Sequence, residues 1–263
     1  MIENENSVKE SVNCMENIIL IQSGKGGVGK STVAANLACC LSDMGKTVML
    51  IDGDISLRNL DLLLGLQDRT VFDIQDLYYS RCDMDTLIIR HPVYSSLYFV
   101  PAPAVLTEKP SVLYEFIYNF SVDKKESFDY IIIDCPAGIG EFSEKIKGPN
   151  MRALMVATPD FTSVRDAEKL AMILRDKNVG NIRLIVNKIK PKSIKRRYSP
   201  DIDFIIDSIS VQLIGMVPED KKIYGLSNSG RVVISEKKAI SKRAFYNIAY
   251  RICGENRELY KFW

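Results

Sequence analysis

Residues Ser23 to Thr32 read S-G-K-G-G-V-G-K-S-T. Within them Gly24, Gly29, Lys30 and Ser31 have the spacing G-x-x-x-x-G-K-[ST] of a phosphate-binding loop. The flanks decide whether the match means anything. Before it, Asn17 to Gln22 (N-I-I-L-I-Q) is an apolar run of strand length; after it, Val33, Leu37, Cys40, Leu41 and Met44 recur at helical spacing from Thr32 to Met44. A strand, a glycine-rich turn and a helix are the context such a loop needs. Glycines let the backbone curl until successive N–H groups converge on an anion, and the helix adds its positive end. Lys30 is placed to neutralise the β- and γ-phosphates of a nucleotide, and the Ser31 hydroxyl to ligate Mg²⁺.

Working outward, apolar strands alternate with helical patterns along the chain. Strands are expected at Thr47 to Ile51, Leu97 to Val100, Tyr130 to Asp134, Ala153 to Ala157, Ile182 to Val186 and Val211 to Val217. Helices are expected at Ser56 to Gly65, Asp73 to Tyr78, Ser111 to Phe120, Thr162 to Arg175 and about Glu236 to Cys253, the last with Ile240, Ala244, Ile248 and Ile252 inward. That order predicts an α/β fold: one P-loop domain whose mainly parallel, twisted sheet carries helices on both faces. The 263 residues suit one such domain, and 46% hydrophobic residues suffice for its core.

Hydrolysis on such a loop needs an acid for the metal and a group to orient water. Asp134, ending a strand, has the position of a Walker B aspartate, holding Mg²⁺ through a water. Asp54, beyond the second strand, is the candidate to orient the attacking water, and Asp52 would couple its loop to the metal. Capping a helix is the competing role for all three. The one histidine, His91, precedes a proline and reads as a surface residue.

Other features narrow the class. The six cysteines, Cys14, Cys39, Cys40, Cys82, Cys135 and Cys253, include no C-x-x-C pair, so they read as reduced packing residues. A net charge of +2 argues neither for nor against a polyanionic partner. Lys188 to Arg197 is a basic run that reads as a solvated loop, so nucleic acid is not the expected partner. Met1 to Glu16 lacks the apolar core of a signal peptide and reads as a flexible extension. No stretch has the length of a membrane span, and the expected location is the cytoplasm.

Lys25, inside the phosphate loop, resembles the signature lysine of the MinD/ParA family of deviant Walker A ATPases. The similarity extends through V-M-L-I-D-G-D-I-S-L-R-N-L-D-L-L-L-G (Val48 to Gly65), D-Y-I-I-I-D-C-P-A-G-I-G (Asp129 to Gly140), T-S-V-R-D-A-E-K-L (Thr162 to Leu170) and L-I-G-M-V-P-E-D (Leu213 to Asp220). L-R-N-L-D and S-V-R-D resemble the MinD branch more than ParA proteins at large. The resemblance implies a nucleotide switch: a homodimer closed over ATP and Mg²⁺, membrane-bound as a dimer, that recruits a MinC-like division inhibitor and is released by a MinE-like activator. It further implies that residues 17–254 are the ATPase domain. By position, Gly24, Lys25, Gly26, Gly27, Val28, Gly29, Lys30, Ser31 and Thr32 would bind ATP, Lys25 acting on the partner's nucleotide. Asn187, with Pro218 and the loop after it, would contact the adenine. Arg165, Asp166 and Glu168 would form the surface for the inhibitor and activator, unless they are simply a solvated face.

The carboxyl end departs from the family, whose MinD members finish in a basic amphipathic helix. Here residues 255–263 form a short aromatic tail in which Leu259, Phe262 and Trp263 would share a helical face. They could touch an anionic membrane, or dock on the protein's own core. A ParA-like ATPase positioning DNA or a flagellar cargo is the nearest alternative function. A biosynthetic enzyme or cofactor carrier is the second, although iron–sulfur carriers on this loop use a cysteine pair.

Overall fold

The computed structural model describes residues 17–145 and 151–260. Eight strands form one sheet: β1 (Ile18–Gln22), β2 (Val48–Asp52), β3 (Ile89–Arg90), β4 (Leu97–Val100), β5 (Tyr130–Asp134), β6 (Met151–Ala157), β7 (Asn181–Ile189) and β8 (Leu213–Pro218). Their order is β3-β4-β2-β5-β1-β6-β7-β8, and only the β3–β4 pair is antiparallel. The near-continuous apolar character of the central strands follows from burial on both faces.

Side-chain alternation sorts that run between two core layers. Ile18, Leu20, Met49, Ile51, Ile131 and Ile133 pack toward the helices Pro110–Lys124, Phe161–Asp176 and Ile202–Ile209. Ile19, Ile21, Val48, Leu50 and Ile132 pack toward the helices Lys30–Asp43 and Lys242–Ile252. After β1 the helix Lys30–Asp43 packs on one face of the sheet, and after β5 Phe142 packs on the other. That reversal opens a crevice at the carboxyl ends of these neighbouring strands, where parallel sheets place ligands.

Several expected elements shift for local reasons. The helix expected from Ser56 begins only at Leu60, because the Asp52 carboxylate accepts the backbone N–H groups of Asn59 (3.4 Å) and Leu60 (3.2 Å). The last helix starts at Lys242, not near Glu236. Asp220 Oδ2 accepts from the N–H and hydroxyl of Ser241 at 3.1 and 2.8 Å, fixing the chain there. Ile240 therefore lies outside the helix and is exposed rather than inward. His91 is also not a surface residue. It is buried, its Nδ1 accepts from the N–H groups of Val93 and Tyr94 (both 3.1 Å), and burial lowers its pKa.

Candidate functional site

The loop leaves β1 at Gln22 and enters the helix Lys30–Asp43 through two left-handed glycines, Gly27 (φ 80°) and Gly29 (φ 91°). A side chain at either would be strained. No side chain caps the helix at Gly29, which leaves its first N–H groups directed at the crevice. The far side of the loop is held from β7: Asn187 Nδ2 donates to the Val28 carbonyl (2.8 Å) and Lys188 Nζ to the Gly27 carbonyl (2.6 Å). A Cβ on Gly29 would stand 2.5 Å from Asn187 Nδ2, so the absence of a side chain also makes room for this brace.

At the floor, Lys30 Nζ donates to Asp134 Oδ1 at 2.6 Å, with both side chains nearly sealed from water. Asp134 Oδ2 is buried and has no hydrogen-bond partner among the described residues. Burial raises the Asp134 pKa, while Lys30 opposes the rise by favouring the carboxylate. Asp52 lies at the same sheet edge, its Cα paired in register with that of Asp134. Its pKa is pushed up to about 8, first by burial and next by the Asp134 charge, against the pull of backbone N–H groups at Leu60 and Asp54. Asp52 Oδ1 accepts from the Asp54 N–H (3.2 Å), so the buried carboxyl shapes the loop that carries Asp54.

Asp54 lines a cavity of about 450 Å³ together with Gly26, Gly27, Gly29, Lys30, Ser31 and Thr32. The structure thus brings the loop and the water-orienting candidate to one space. Lys30 is turned to Asp134 within it. The donors present, a serine hydroxyl at Ser31 and a carboxylate with an orphaned oxygen, are the hard oxygen ligands Mg²⁺ prefers when phosphates and waters complete its shell.

A second cavity of about 370 Å³ shares Gly29, Thr32, Leu63 and Ser227 with the first. Asn187 and Pro218, the expected adenine contacts, both line it, beside Lys188, Ile223 and Tyr224. Leu63, Pro218, Ile223 and Tyr224 give it apolar walls for a flat heterocycle, and Asn187, Glu219 and Asp220 are among the polar groups around them. Lys188 and Leu63 are not among the expected adenine contacts, whereas Ile223 and Tyr224 follow closely on the loop after Pro218, which is.

At the rim, Lys25 Nζ donates to Asp160 Oδ1 and Thr162 Oγ1, both at 2.9 Å. Asp160 caps the helix Phe161–Asp176, accepting from the Ser163 N–H at 2.9 Å. On that helix Arg165 is exposed, and Asp166 and Glu168 are half-buried. Gly24 abuts it closely, since a Cβ there would meet the Asp166 carbonyl carbon and oxygen at 2.4 Å. The tail departs from its expected helix: residues 255–260 have no helical structure, Leu259 packs against the core, and the Arg257 guanidinium sits 4.4 Å over the Tyr250 ring. Phe262 and Trp263 lie outside the described residues. Among the described residues, no helix is long and apolar enough to cross a membrane.

A family model described as ParA, NUBPL iron-transfer P-loop NTPase, matches residues 14–253. Among the described residues no cluster of three or more histidine, cysteine or acidic side chains is placed to hold a metal, and Cys39, Cys40 and Cys135 are buried in the core, which raises their thiol pKa values well above normal. The septum site-determining protein MinD of Synechocystis is 40% identical over 243 residues, 92% of this chain and 91% of that one. A solved MinC:MinD cell division protein complex from Aquifex aeolicus matches with TM-score 0.82 and 32% identity, covering 93% of this chain and 98% of the other. MinD from Pyrococcus horikoshii, solved with Mg-ADP, matches with TM-score 0.78 and 27% identity over 90% and 96% of the two chains.

Proposed function

The chain belongs to the MinD branch of the ParA family of P-loop ATPases, and from that premise we propose that it is a dimerising switch that places the division septum. In this reading residues 17–254 form the ATPase domain, and two copies close over ATP with each Lys25 reaching the other's nucleotide. The observation that carries it is the division of labour within one loop. Lys30 is sealed on Asp134 at the floor, whereas Lys25 stands at the rim, partly exposed and able to exchange partners.

Ser31, and Asp134 through a water, would hold Mg²⁺, which would supply charge neutralisation of the phosphates there. Lys30 exchanges its contact with Asp134 for the β- and γ-phosphates, and the helix N-terminus at Gly29 adds positive potential. Asn187 and Pro218 receive the adenine. Asp54 orients the attacking water, and Asp52 holds the Asp54 N–H so that the carboxylate stays over the crevice. Arg165, Asp166 and Glu168 form the surface for the inhibitor in this reading, and that the partner is MinC-like is supported by the MinC:MinD complex solved for the Aquifex relative. A MinE-like activator would use the same helix.

Membrane contact would rest on Phe262 and Trp263, since Leu259 is packed inward. Two tails on one dimer would raise avidity without new contacts. Co-sedimentation with anionic vesicles should then require ATP; protein remaining in the supernatant with ATP would remove the membrane part of the reading.

Chromatography with Mg²⁺ and either ATP or ADP tests the switch. Wild type should dimerise with ATP only. Asp54→Ala should prolong the dimer by slowing hydrolysis about 100-fold, through loss of water positioning. A monomer under both nucleotides would defeat the switch.

A further inference from the structure

The contacts of Lys25 assign a role to a residue outside the phosphate loop. Asp160 Oδ1 accepts from Lys25 Nζ (2.9 Å), Thr162 Oγ1 (2.7 Å) and the Ser163 N–H (2.9 Å), while Oδ2 accepts from Thr158 Oγ1 at 2.6 Å. One carboxylate therefore caps a long helix and holds the loop lysine of its own subunit. Thr162 Oγ1, itself donating to Asp160, accepts a second bond from Lys25 Nζ at 2.9 Å. The ammonium is thus committed to the helix Phe161–Asp176 and not to the mouth of the crevice. This pair is only partly buried, at 33% and 45% side-chain exposure, so exchanging it is inexpensive compared with the sealed Lys30–Asp134 pair.

We propose that Asp160 is a positioning residue that holds Lys25 in cis and competes with the partner subunit's nucleotide for it. The proposal rests on the reading that Lys25 acts in trans. Dimer closure then requires each subunit to surrender the Lys25–Asp160 contact. After release, Asp160 keeps its bonds from Thr158, Thr162 and Ser163, so the helix remains capped while the charge beside its first turn is no longer neutralised. The same helix carries Arg165, Asp166 and Glu168, and Gly24 presses on its backbone at Asp166. The exchange of Lys25 thereby alters the electrostatics of the surface proposed for the inhibitor.

Asp160→Asn separates the two duties, because an amide oxygen can still accept from Ser163 N–H but no longer offers a negative charge to Lys25. Dimerisation should be followed by sedimentation velocity against ATP with Mg²⁺, for wild type, Asp160→Asn, Lys25→Ala and the double variant. The expected result is a dimer forming at a protein concentration roughly fivefold to twentyfold lower in Asp160→Asn, since two partly exposed ion pairs are released per dimer. Thr162→Val, which removes the other acceptor, should shift it in the same direction by less. In the Lys25→Ala background the substitution at Asp160 should change nothing. Equal dimerisation of wild type and Asp160→Asn, or the same shift with and without Lys25, would overturn the proposal and leave Asp160 as a helix cap. A wild type that never dimerises with ATP, or a Lys25→Ala protein that dimerises as wild type, would instead remove the trans role of Lys25, and the proposal with it.

Discussion

The floor and the rim of the phosphate loop each hold a lysine on an aspartate, at 2.6 Å for Lys30–Asp134 and 2.9 Å for Lys25–Asp160, yet the two pairs are not equivalent. The floor pair is at 6% and 1% exposure, whereas the rim pair is at 33% and 45%. In the interior, an unpaired charge is costly and a partner can leave only when another charge takes its place. Near solvent, water and ions can substitute, and a single ion pair contributes little to stability. The same chemistry therefore makes a floor pair that opens only when another charge, such as phosphate, takes the carboxylate's place, and a rim pair that water alone can release. The separation is created by topology: Asp134 ends a central strand, while Asp160 precedes a helix on the sheet's outer layer.

The floor offers the harshest test of this contrast. Lys30→Ala would leave Asp134 buried without its cation, beside a second buried carboxyl at Asp52. Loss of one partner from a buried pair is expected to cost about 3–5 kcal/mol in urea unfolding, along with nucleotide binding. A loss below about 1 kcal/mol would show that Asp134 is neutral in the folded protein and that the floor is no more demanding than the rim.

A pH series sharpens the point at Asp52. Its folded pKa is raised to about 8 from the ordinary 3.8 of an aspartate, so between those values the folded state binds more protons than the unfolded chain. Stability from this group is therefore greatest at low pH and declines as pH rises toward 8. Asp52→Asn should remove that decline, so the difference between variant and wild type in denaturant midpoint should grow from pH 5 to pH 8. A constant difference would mean that Asp52 is ionised throughout.

Gly24→Ala probes where the loop meets the helix Phe161–Asp176. The new methyl would stand 2.4 Å from the Asp166 carbonyl group, and rigid backbone has little room to yield. Overpacking of this kind should cost about 1–3 kcal/mol and weaken nucleotide binding as the loop is displaced. A protein unchanged in melting temperature and affinity would show that the contact between loop and helix is loose.

How much of this was legible in the chain differs between floor and rim. Ser23 to Thr32 announced the phosphate loop because its glycines, lysine and serine are contiguous, and Asp134 followed from its place at a strand end. Asn187 and Pro218 could be placed only through family resemblance, since β7 and β8 meet the loop through sheet order and not through proximity in sequence. Lys188 escaped notice as one more residue of a basic run, although its Nζ braces Gly27. The late helix starts at Leu60 and Lys242 were illegible for a related reason. Each is set by a carboxylate outside the helix, Asp52 eight residues before Leu60 or Asp220 twenty-one before Ser241, which local periodicity does not register. For Leu259 the chain leaves membrane contact and docking on the protein's own core both open, because the core surface it packs against is assembled from other segments.

The smallest expected effect on folding bears most directly on the contrast. Lys25→Ala removes an ion pair and a hydrogen bond to Thr162, both at a partly exposed position. Its cost to stability should stay within about 1 kcal/mol, because water can solvate Asp160 and Ser163 still receives its cap. Its effect on ATP-dependent dimerisation should nevertheless be near complete, since no other side chain of the loop stands at the rim to reach a second subunit. Urea unfolding beside sedimentation velocity would separate the two readouts. If instead Lys25→Ala destabilised the monomer as much as Lys30→Ala, the rim lysine would be a structural element like its neighbour, too firmly held to serve as the moving part of a switch.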